Sequence, residues 1–229
     1  MKKNVLITGA SGNLGKATIE KFLALDYNVI ATSTPRKSLG FETKGVHVYE
    51  ADLTDEKWCE SVVKQILADH STLDAALLLV GGWAPGNIQS TDEASLQKMF
   101  SINFNTAYFV ARPVFQQMLT QTLGGKIVFI GARPALKASE GKNSLSYALA
   151  KSLIFKLADF LNAEGSSKNV TASVIVPSTI DTDVNRKAMP GKDFSTWVKP
   201  SDIAEAMAFI CSENGNPLRE TVLKIYNRA

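Results

Sequence analysis

The chain has 229 residues, of which 45% are hydrophobic and 21% charged, the balance of a soluble globular protein. Its 25 Lys and Arg against 22 Asp and Glu leave a formal charge of only +3, spread along the chain, which predicts no nucleic-acid partner. No apolar run approaches the roughly 18 residues of a membrane span. Cys59 and Cys211 lack metal-ligand spacing. We therefore expect one cytoplasmic, metal-free domain over residues 1–229, with no membrane partner.

Short runs of β-branched residues and leucine alternate with longer segments of helical period, which is typical of a parallel sheet covered on both faces. The predicted strands are residues 4–8, 28–33, 46–50, 75–80, 126–131, 171–176 and 222–226. The predicted helices are residues 14–24, 56–69, 93–120, 146–163 and 201–212. The pattern indicates the α/β class, with a single doubly wound Rossmann-type domain and a seven-stranded parallel sheet. The polar stretch 181–197 is predicted to be an irregular loop that acts as a substrate lid.

Two predicted helical segments are too apolar to have only one buried stripe. In residues 148–161 the apolar positions cover more than half of the helix circumference, and residues 104–118 behave similarly. One face can pack on the sheet, and the other needs a second cover. We therefore expect a homodimer or a homotetramer.

The first predicted strand leads directly into a glycine-rich turn and then a helix. Gly9 permits the tight turn, Gly12 lets a pyrophosphate approach the main chain, and Gly15 lets the helix pack closely. The helix N-terminus then faces the phosphates. The predicted cofactor contacts in this turn are Gly9, Ser11, Gly12, Asn13, Leu14 and Gly15. An ordinary loop is the alternative, but the position after a first strand favours dinucleotide binding.

The end of the second strand indicates which dinucleotide binds. NAD sites normally carry an acid about 20 residues beyond the glycines, where it contacts the ribose hydroxyls. This chain has Ser33 and Thr34 there, followed by the cations Arg36 and Lys37. Hydroxyls and cations suit a 2′-phosphate, so NADP (as NADPH) is favoured, NAD remains possible, and a solvated turn is the alternative.

The segment after the third strand is placed to contact the adenine ring. Asp52 and Leu53 are the candidates. Thr54 or Asp55 could equally serve as the N-cap of the next helix.

Tyr147 and Lys151 are four residues apart in a predicted helix and so share one face. An ammonium beside a phenol lowers the phenol pKa from about 10, which allows proton exchange near neutrality. The pair is therefore the candidate catalytic centre.

These motifs, taken over the whole chain, resemble the short-chain dehydrogenase/reductase family. The matching segments are residues 8–15, 52–53, 81–82, Asn103, Tyr147 with Lys151, and residues 177–182. The resemblance implies an oxidoreductase with a small-molecule substrate, in which Tyr147 exchanges the proton and Lys151 binds the nicotinamide ribose. It also implies that Asn103 supports a water relay to Lys151. The further cofactor contacts that it implies are Gly81, Gly82, Pro177, Ile180 and Thr182. A non-catalytic NADP sensor is the alternative, and the intact Tyr147, Lys151 and Asn103 set disfavours it.

The chain departs from the family pattern after the fifth strand. Ala132 stands where the family carries a serine that binds the substrate carbonyl. Loss of such a donor typically costs about 3 kcal/mol of transition-state stabilisation. Ser139, Ser144 or Ser146 could replace it only if the loop folds back.

The glycine spacing and the segments 81–87, 131–132 and 181–197 resemble the branch of quinonoid dihydropteridine reductases. This resemblance implies a planar, conjugated C=N acceptor that needs no carbonyl-binding serine. The implied substrate contacts are Trp83, Ala132 and Tyr147, with Trp83 stacking on a flat heterocycle. A hydrophobic plug under the lid is the alternative role of Trp83. Asn103 and the missing acid after the second strand keep a general carbonyl or alcohol dehydrogenase open.

Overall fold

The computed structural model describes residues 2–36, 38–41 and 44–228. Across these residues the fold is one parallel sheet of seven strands in the order β3-β2-β1-β4-β5-β6-β7. The strands are β1 (Asn4–Thr8), β2 (Asn28–Ser33), β3 (Val46–Glu50), β4 (Ala75–Leu78), β5 (Gly125–Ile130), β6 (Val170–Pro177) and β7 (Val222–Ile225). Every predicted strand is present, with its ends within two residues of the prediction.

Helices cover both faces of the sheet, as predicted. They are α1 (Asn13–Ala24), α2 (Glu56–His70), α3 (Glu93–Phe100), α4 (Thr106–Thr120), α5 (Arg133–Leu136), α6 (Ala138–Gly141), α7 (Leu145–Gly165), α8 (Asp183–Ala188) and α9 (Pro200–Cys211). One core cluster joins the sheet to α2, α4 and α7, through residues such as Val63, Val114 and Ile154. A second joins it to α1 and α9, through Ile19 and Met207. Burial of the strands on both faces explains their continuous apolar runs.

The strand order reverses between β1 and β4. β1 pairs with β2 on one side and with β4 on the other, so the connections that leave these strands diverge. A crevice forms outside the carboxyl ends of parallel strands at such a reversal, and ligands bind there in doubly wound folds. This edge of the sheet is therefore where the site is expected.

The prediction of one continuous helix over residues 93–120 is wrong in its middle. A π-helical turn, Ser101–Asn105, separates α3 from α4. The side chain of Asn103 donates to the main-chain oxygen of Met99 at 3.1 Å, and Thr106 Oγ1 donates to that of Ile102 at 3.0 Å. Such side-chain bonds to the helix backbone compete with its regular pattern, and π turns often occur at functional sites.

Two loop segments contain more structure than the sequence indicates. Residues 133–141 form α5 and α6, and the close approach of Gly141 to Pro134 leaves no room for a side chain at Gly141. Residues 181–197, predicted to be irregular, contain α8 and a 3₁₀ turn at Phe194–Thr196. α8 forms because Thr182 Oγ1 accepts from the main-chain N–H of Asn185 at 3.2 Å, which caps its first turn.

The apolar helices α4 and α7 each leave aromatic or aliphatic side chains outside the core. Tyr108 and Leu149 are partly exposed, and Phe160 is 69% exposed. They belong to the apolar surface for which the sequence predicts a second cover, and a second subunit as that cover stays a prediction. In the described part of the chain, none of the helices combines the length and apolar character needed to cross a membrane.

Candidate active site

The glycine-rich turn folds as the sequence predicts. Gly9 has a φ of +68°, a conformation that side chains disfavour, and its main-chain oxygen accepts from the N–H of Gly12 at 3.0 Å. A Cβ on Gly15 would overlap the main chain of Gly9 and Ala10, so only glycine lets α1 pack this closely on the turn. The turn holds the start of α1 against the end of β1.

The first turn of α1 presents main-chain N–H groups to the crevice. Its N-cap is Gly12, which has no side chain to bind them. Uncapped N–H groups and the helix dipole together favour an anion at this position. A cavity of about 320 Å³ opens here and is lined by Asn13, Asp181, Thr182, Asp183, Arg186 and Pro200. The structure therefore brings the start of α1 and the predicted cofactor residue Thr182 to one cavity.

The end of β2 carries the residues predicted to select the cofactor. Ser33 is buried, whereas Thr34 and Arg36 are exposed; Lys37 lies outside the described residues. The structure also brings to this turn a carboxylate that the sequence motifs do not indicate. The main-chain N–H of Arg36 donates to Glu50 Oε1, at the end of β3, at 3.4 Å. The sequence signal that could have found Glu50 is its place at the end of the strand paired with β2.

Asp52 is exposed after β3, whereas Leu53 is buried. Asp52 Oδ1 accepts from both the main-chain N–H and the hydroxyl of Thr54, at 2.9 and 2.7 Å. The Leu53 side chain is buried in the core, so only its main chain can meet an adenine ring. The N-cap of α2 is Asp55, whose carboxylate accepts from the N–H of Trp58 at 3.0 Å.

Asn103 joins the π-helical turn to the loop after β4. Its side-chain oxygen accepts from the N–H of Gly82 at 3.1 Å, and its amide nitrogen donates to the oxygen of Gly82 at 2.9 Å. A Cβ on Gly81 would lie 2.8 Å from Asn103 Oδ1 and 3.0 Å from Lys151 Nζ. Asn103, Gly81, Gly82 and Lys151 are thus brought together, as the family motif implies.

Lys151 is buried at this junction. Its Nζ donates to the main-chain oxygen of Ile130, at the end of β5, at 2.9 Å. Burial lowers the pKa of Lys151 to about 8, because an ammonium is poorly solvated there. The residue remains mostly charged at neutral pH, and a modest rise in pH discharges it.

Tyr147 lies one helical turn before Lys151 in α7, and the expected direction of its pKa shift is wrong. Burial raises the pKa of the Tyr147 phenol to about 12 instead of lowering it. Desolvation disfavours the phenolate, and the Lys151 ammonium, one helical turn along α7, is itself desolvated and donates to Ile130. The protonated phenol is therefore the resting form.

The end of β5 presents no hydroxyl at the position of the family serine. Ala132 is only 4% exposed. Of the three serines that could replace the donor, Ser139 is exposed and Ser144 and Ser146 are buried. Ser146 Oγ has no hydrogen-bond partner among the described residues.

Trp83 lies in the loop after β4 and is 62% exposed. This exposure rules out the plug under the lid, and stacking on a substrate remains a prediction. A second cavity, of about 770 Å³, is lined by the later part of this loop and by residues of α5, α6 and α7, among them Ile88, Leu136 and Leu149. Tyr147 and Lys151 are not among its described lining residues.

The segment after β6 carries the remaining predicted cofactor contacts. Pro177 ends β6 beside Ile225, and the main-chain oxygen of Ile180 accepts from Asn185 Nδ2 at 2.8 Å. Asp181 binds Arg186 through two hydrogen bonds, of 2.6 and 2.8 Å. The bidentate pair holds the pKa of Asp181 below its usual range. It also compensates the charge of Arg186 within the predicted lid.

The residues present fit a nicotinamide dinucleotide. The left-handed Gly9, the close approach at Gly15 and the uncapped start of α1 form a phosphate cradle. The lack of a side chain at Gly81 leaves space beside Asn103 and Lys151 that a Cβ would fill. When bound, the cofactor supplies the hydride.

Comparison with known proteins places the chain in a family. The family model for short chain dehydrogenases matches residues 3–193. The chain belongs to the short-chain dehydrogenase family of NAD(P)-dependent oxidoreductases.

Curated relatives include enzymes with two kinds of substrate. Dihydropteridine reductase of Dictyostelium discoideum is 29% identical over 214 residues, which cover 90% of this chain and 87% of that protein. Acetoacetyl-CoA reductase of Acinetobacter sp. is 25% identical, over 93% of this chain and 92% of that protein. Among solved structures, ElxO with NADP bound has a TM-score of 0.89 at 24% identity, with 98% of this chain and 97% of that chain covered. This structural likeness supports the fold.

Proposed function

We propose that the protein is an NADPH-preferring reductase of a small, planar, conjugated substrate of the quinonoid dihydropterin type. The observation that carries the proposal is the combination of an intact Asn103 and Lys151 junction with a β5 end that offers no hydroxyl at Ala132. A conjugated C=N acceptor distributes the incoming charge over the ring system. It therefore depends less than a simple ketone on a hydrogen bond to one oxygen.

Tyr147, Lys151 and Asn103 have separate roles in the proposed proton transfer. Tyr147, with a pKa of about 12, is protonated at neutral pH and can donate a proton to a nitrogen of the acceptor. The Lys151 ammonium, held by Ile130, is positioned on the same helix face to favour the phenolate that remains. Asn103 fixes the loop at Gly82, which bounds the nicotinamide side of the site.

A general carbonyl reductase is the second candidate. Asn103 in the π-helical turn supports it, because the family pattern associates this residue with the ordinary carbonyl mechanism. The similarity to acetoacetyl-CoA reductase also supports it. A buried serine such as Ser146 would then have to supply the missing donor.

A substrate comparison distinguishes the two candidates. Initial rates with NADPH and with NADH are measured on a quinonoid dihydropterin, generated in the assay, and on acetoacetyl-CoA with a panel of simple ketones. The proposal expects kcat/KM for the pterin to exceed that for every ketone by about tenfold or more, since the site offers a ketone oxygen no donor at Ala132, and such a donor is worth about 3 kcal/mol. Faster reduction of a ketone would favour the second candidate.

The variant Ala132→Ser sharpens this comparison. It places a hydroxyl at the end of β5 without changing the charge. We expect it to raise ketone reduction relative to pterin reduction. An unchanged ratio would show that Ala132 does not lie where the substrate is polarised.

A further inference from the structure

The carboxylate of Glu50 lies beside the end of β2, a strand that itself ends without an acid. β2 and β3 pair in register, with Ser33 opposite Glu50, and the N–H of Ala51 donates to the main-chain oxygen of Ser33 at 3.0 Å. The last residue of β3 therefore lies beside the last residue of β2. In doubly wound nucleotide sites an acid near this position accepts the ribose hydroxyls.

Glu50 also contacts the turn that carries Arg36. Its Oε1 accepts from the main-chain N–H of Arg36 at 3.4 Å. Arg36 has a φ of +61°, which is uncommon for a residue with a side chain, and the hydrogen bond to Glu50 helps to fix this turn. In the part of the chain that the structure describes, neither the Arg36 guanidinium nor the Glu50 carboxylate has an ion-pair partner.

Glu50 and Arg36 have opposite effects on the two forms of the cofactor. A 2′-phosphate is attracted by a guanidinium and repelled by a carboxylate. A free 2′-hydroxyl can donate to the carboxylate and gains nothing from the cation. Because the carboxylate of Glu50 is hydrogen-bonded to the main chain of Arg36, both charges lie beside the end of β2, where an adenosine ribose would meet them together.

We propose that Glu50 is a specificity-determining residue that lowers the preference for NADPH set by Arg36. The inference rests on the proposed function, because it requires that a nicotinamide dinucleotide binds at the glycine-rich turn. The selectivity between NADPH and NADH is then the balance of this pair, and removal of the Glu50 charge shifts it toward NADPH.

The test measures binding without turnover. Dissociation constants of NADPH and NADH are taken from the fluorescence of the reduced nicotinamide for the wild type and for Glu50→Gln. Glutamine keeps the oxygen that accepts from Arg36 and removes the charge. We expect the ratio of the NADH to the NADPH dissociation constant to rise about two- to fivefold, the size of an interaction between exposed charges. Glu164→Gln, an exposed substitution at the far end of α7, is the matched control and should leave the ratio unchanged.

Nucleotide fragments locate the effect at the ribose. Adenosine 2′,5′-bisphosphate should bind Glu50→Gln more tightly than it binds the wild type, whereas 5′-AMP should not. Arg36→Asn, which tolerates the left-handed backbone and removes the cation, should change the ratio in the opposite direction. Because the effect is electrostatic, raising the salt concentration should reduce it.

Two outcomes would overturn the inference. The first is a ratio for Glu50→Gln equal to that of the wild type. The second is a change that Glu50→Ala produces and Glu50→Gln does not, since this would show that the hydrogen bond to Arg36 matters and the charge does not. If the wild type bound neither dinucleotide, the proposed function itself would fail, a result distinct from an unchanged ratio.

Discussion

The Nζ atom of Lys151 donates a hydrogen bond to the main-chain oxygen of Ile130 at 2.9 Å, inside the protein. This bond fixes an ammonium at the carboxyl end of β5, next to Gly81 and Asn103. Burial brings the pKa of this ammonium down to about 8. The positive charge of Lys151 is therefore lost within an accessible pH range.

The rate of reduction should depend on this charge. As the pH rises through about 8, Lys151 loses its proton, and in the proposed mechanism the phenolate that Tyr147 forms on proton donation is then left without a cation. We expect kcat/KM to fall about tenfold per pH unit above this value. A pH profile of the wild type measures the effect. Lys151→Arg, which stays charged, should show no such fall in whatever activity remains, and a flat wild-type profile to about pH 9.5 would contradict the assignment.

Asn103 should matter for both stability and rate. Asn103→Ala leaves the N–H and the oxygen of Gly82 without their partner, at a cost of about 1–3 kcal/mol in the free energy of unfolding. Movement of Gly81 and Gly82 should also lower kcat by about 10- to 100-fold. Urea unfolding and steady-state kinetics measure the two effects.

Asn162 provides the matched control for Asn103. It is also a buried asparagine that binds both main-chain groups of one residue, Ala172, at 2.8 Å each, but it lies away from the site. Asn162→Ala should destabilise the protein to a similar extent and leave kcat unchanged at a temperature where the variant is folded. An equal loss of kcat in both variants would mean that Asn103 acts only through stability.

His70 should make the fold sensitive to acid. His70 Nδ1 accepts from Asn28 at 3.1 Å, its Nε2 lies 3.1 Å from the hydroxyl of Tyr49, and its ring lies 4.8 Å from that of His47. Burial, and then the charge of His47, lower the pKa of His70. Because the folded protein binds this proton less well than the unfolded chain, stability is full above about pH 6.5 and falls as the pH drops through the folded pKa.

Urea unfolding between about pH 7.5 and pH 5 tests the histidine effect. His70→Gln cannot gain a proton and should reduce the loss of stability on acidification. A wild-type free energy of unfolding that stays constant over this range would contradict the account.

The exposed aromatic side chain on α7 should form part of a homodimer interface. Phe160→Glu places a charge on the outer face of α7 and should shift the protein toward the monomer. Phe209→Glu, at a 49% exposed phenylalanine on α9, is the control and should leave the assembly unchanged. Light scattering after size-exclusion chromatography gives the mass in solution, and a monomeric wild type would refute the interface.

The sequence predicts the sheet and the glycine-rich turn well, for local reasons. Strands buried on both faces must be apolar along their whole length, and Gly9 and Gly15 occupy positions that exclude a side chain. The π-helical turn was missed because Asn103 and Thr106 disturb the helix only through bonds that need the folded neighbourhood. Glu50 was missed because its place beside Arg36 comes from pairing between strands and not from spacing along the chain.

The pKa of Tyr147 illustrates the same limit. Its spacing from Lys151 correctly places both on one helix face, but the shift depends on how much water each group loses. Burial dominates at both residues and favours the neutral form of each. It raises the pKa of Tyr147 to about 12 and lowers that of Lys151 to about 8. Sequence spacing carries no information about that burial.

The most direct test of the account compares Tyr147→Phe with the wild type in dinucleotide binding and in turnover of the preferred acceptor. Phenylalanine removes the hydroxyl and little else, so the account predicts an NADPH dissociation constant within about twofold of the wild type and a kcat reduced by about 10²- to 10⁴-fold. Retention of wild-type turnover by Tyr147→Phe would contradict the assignment of Tyr147 as the proton donor.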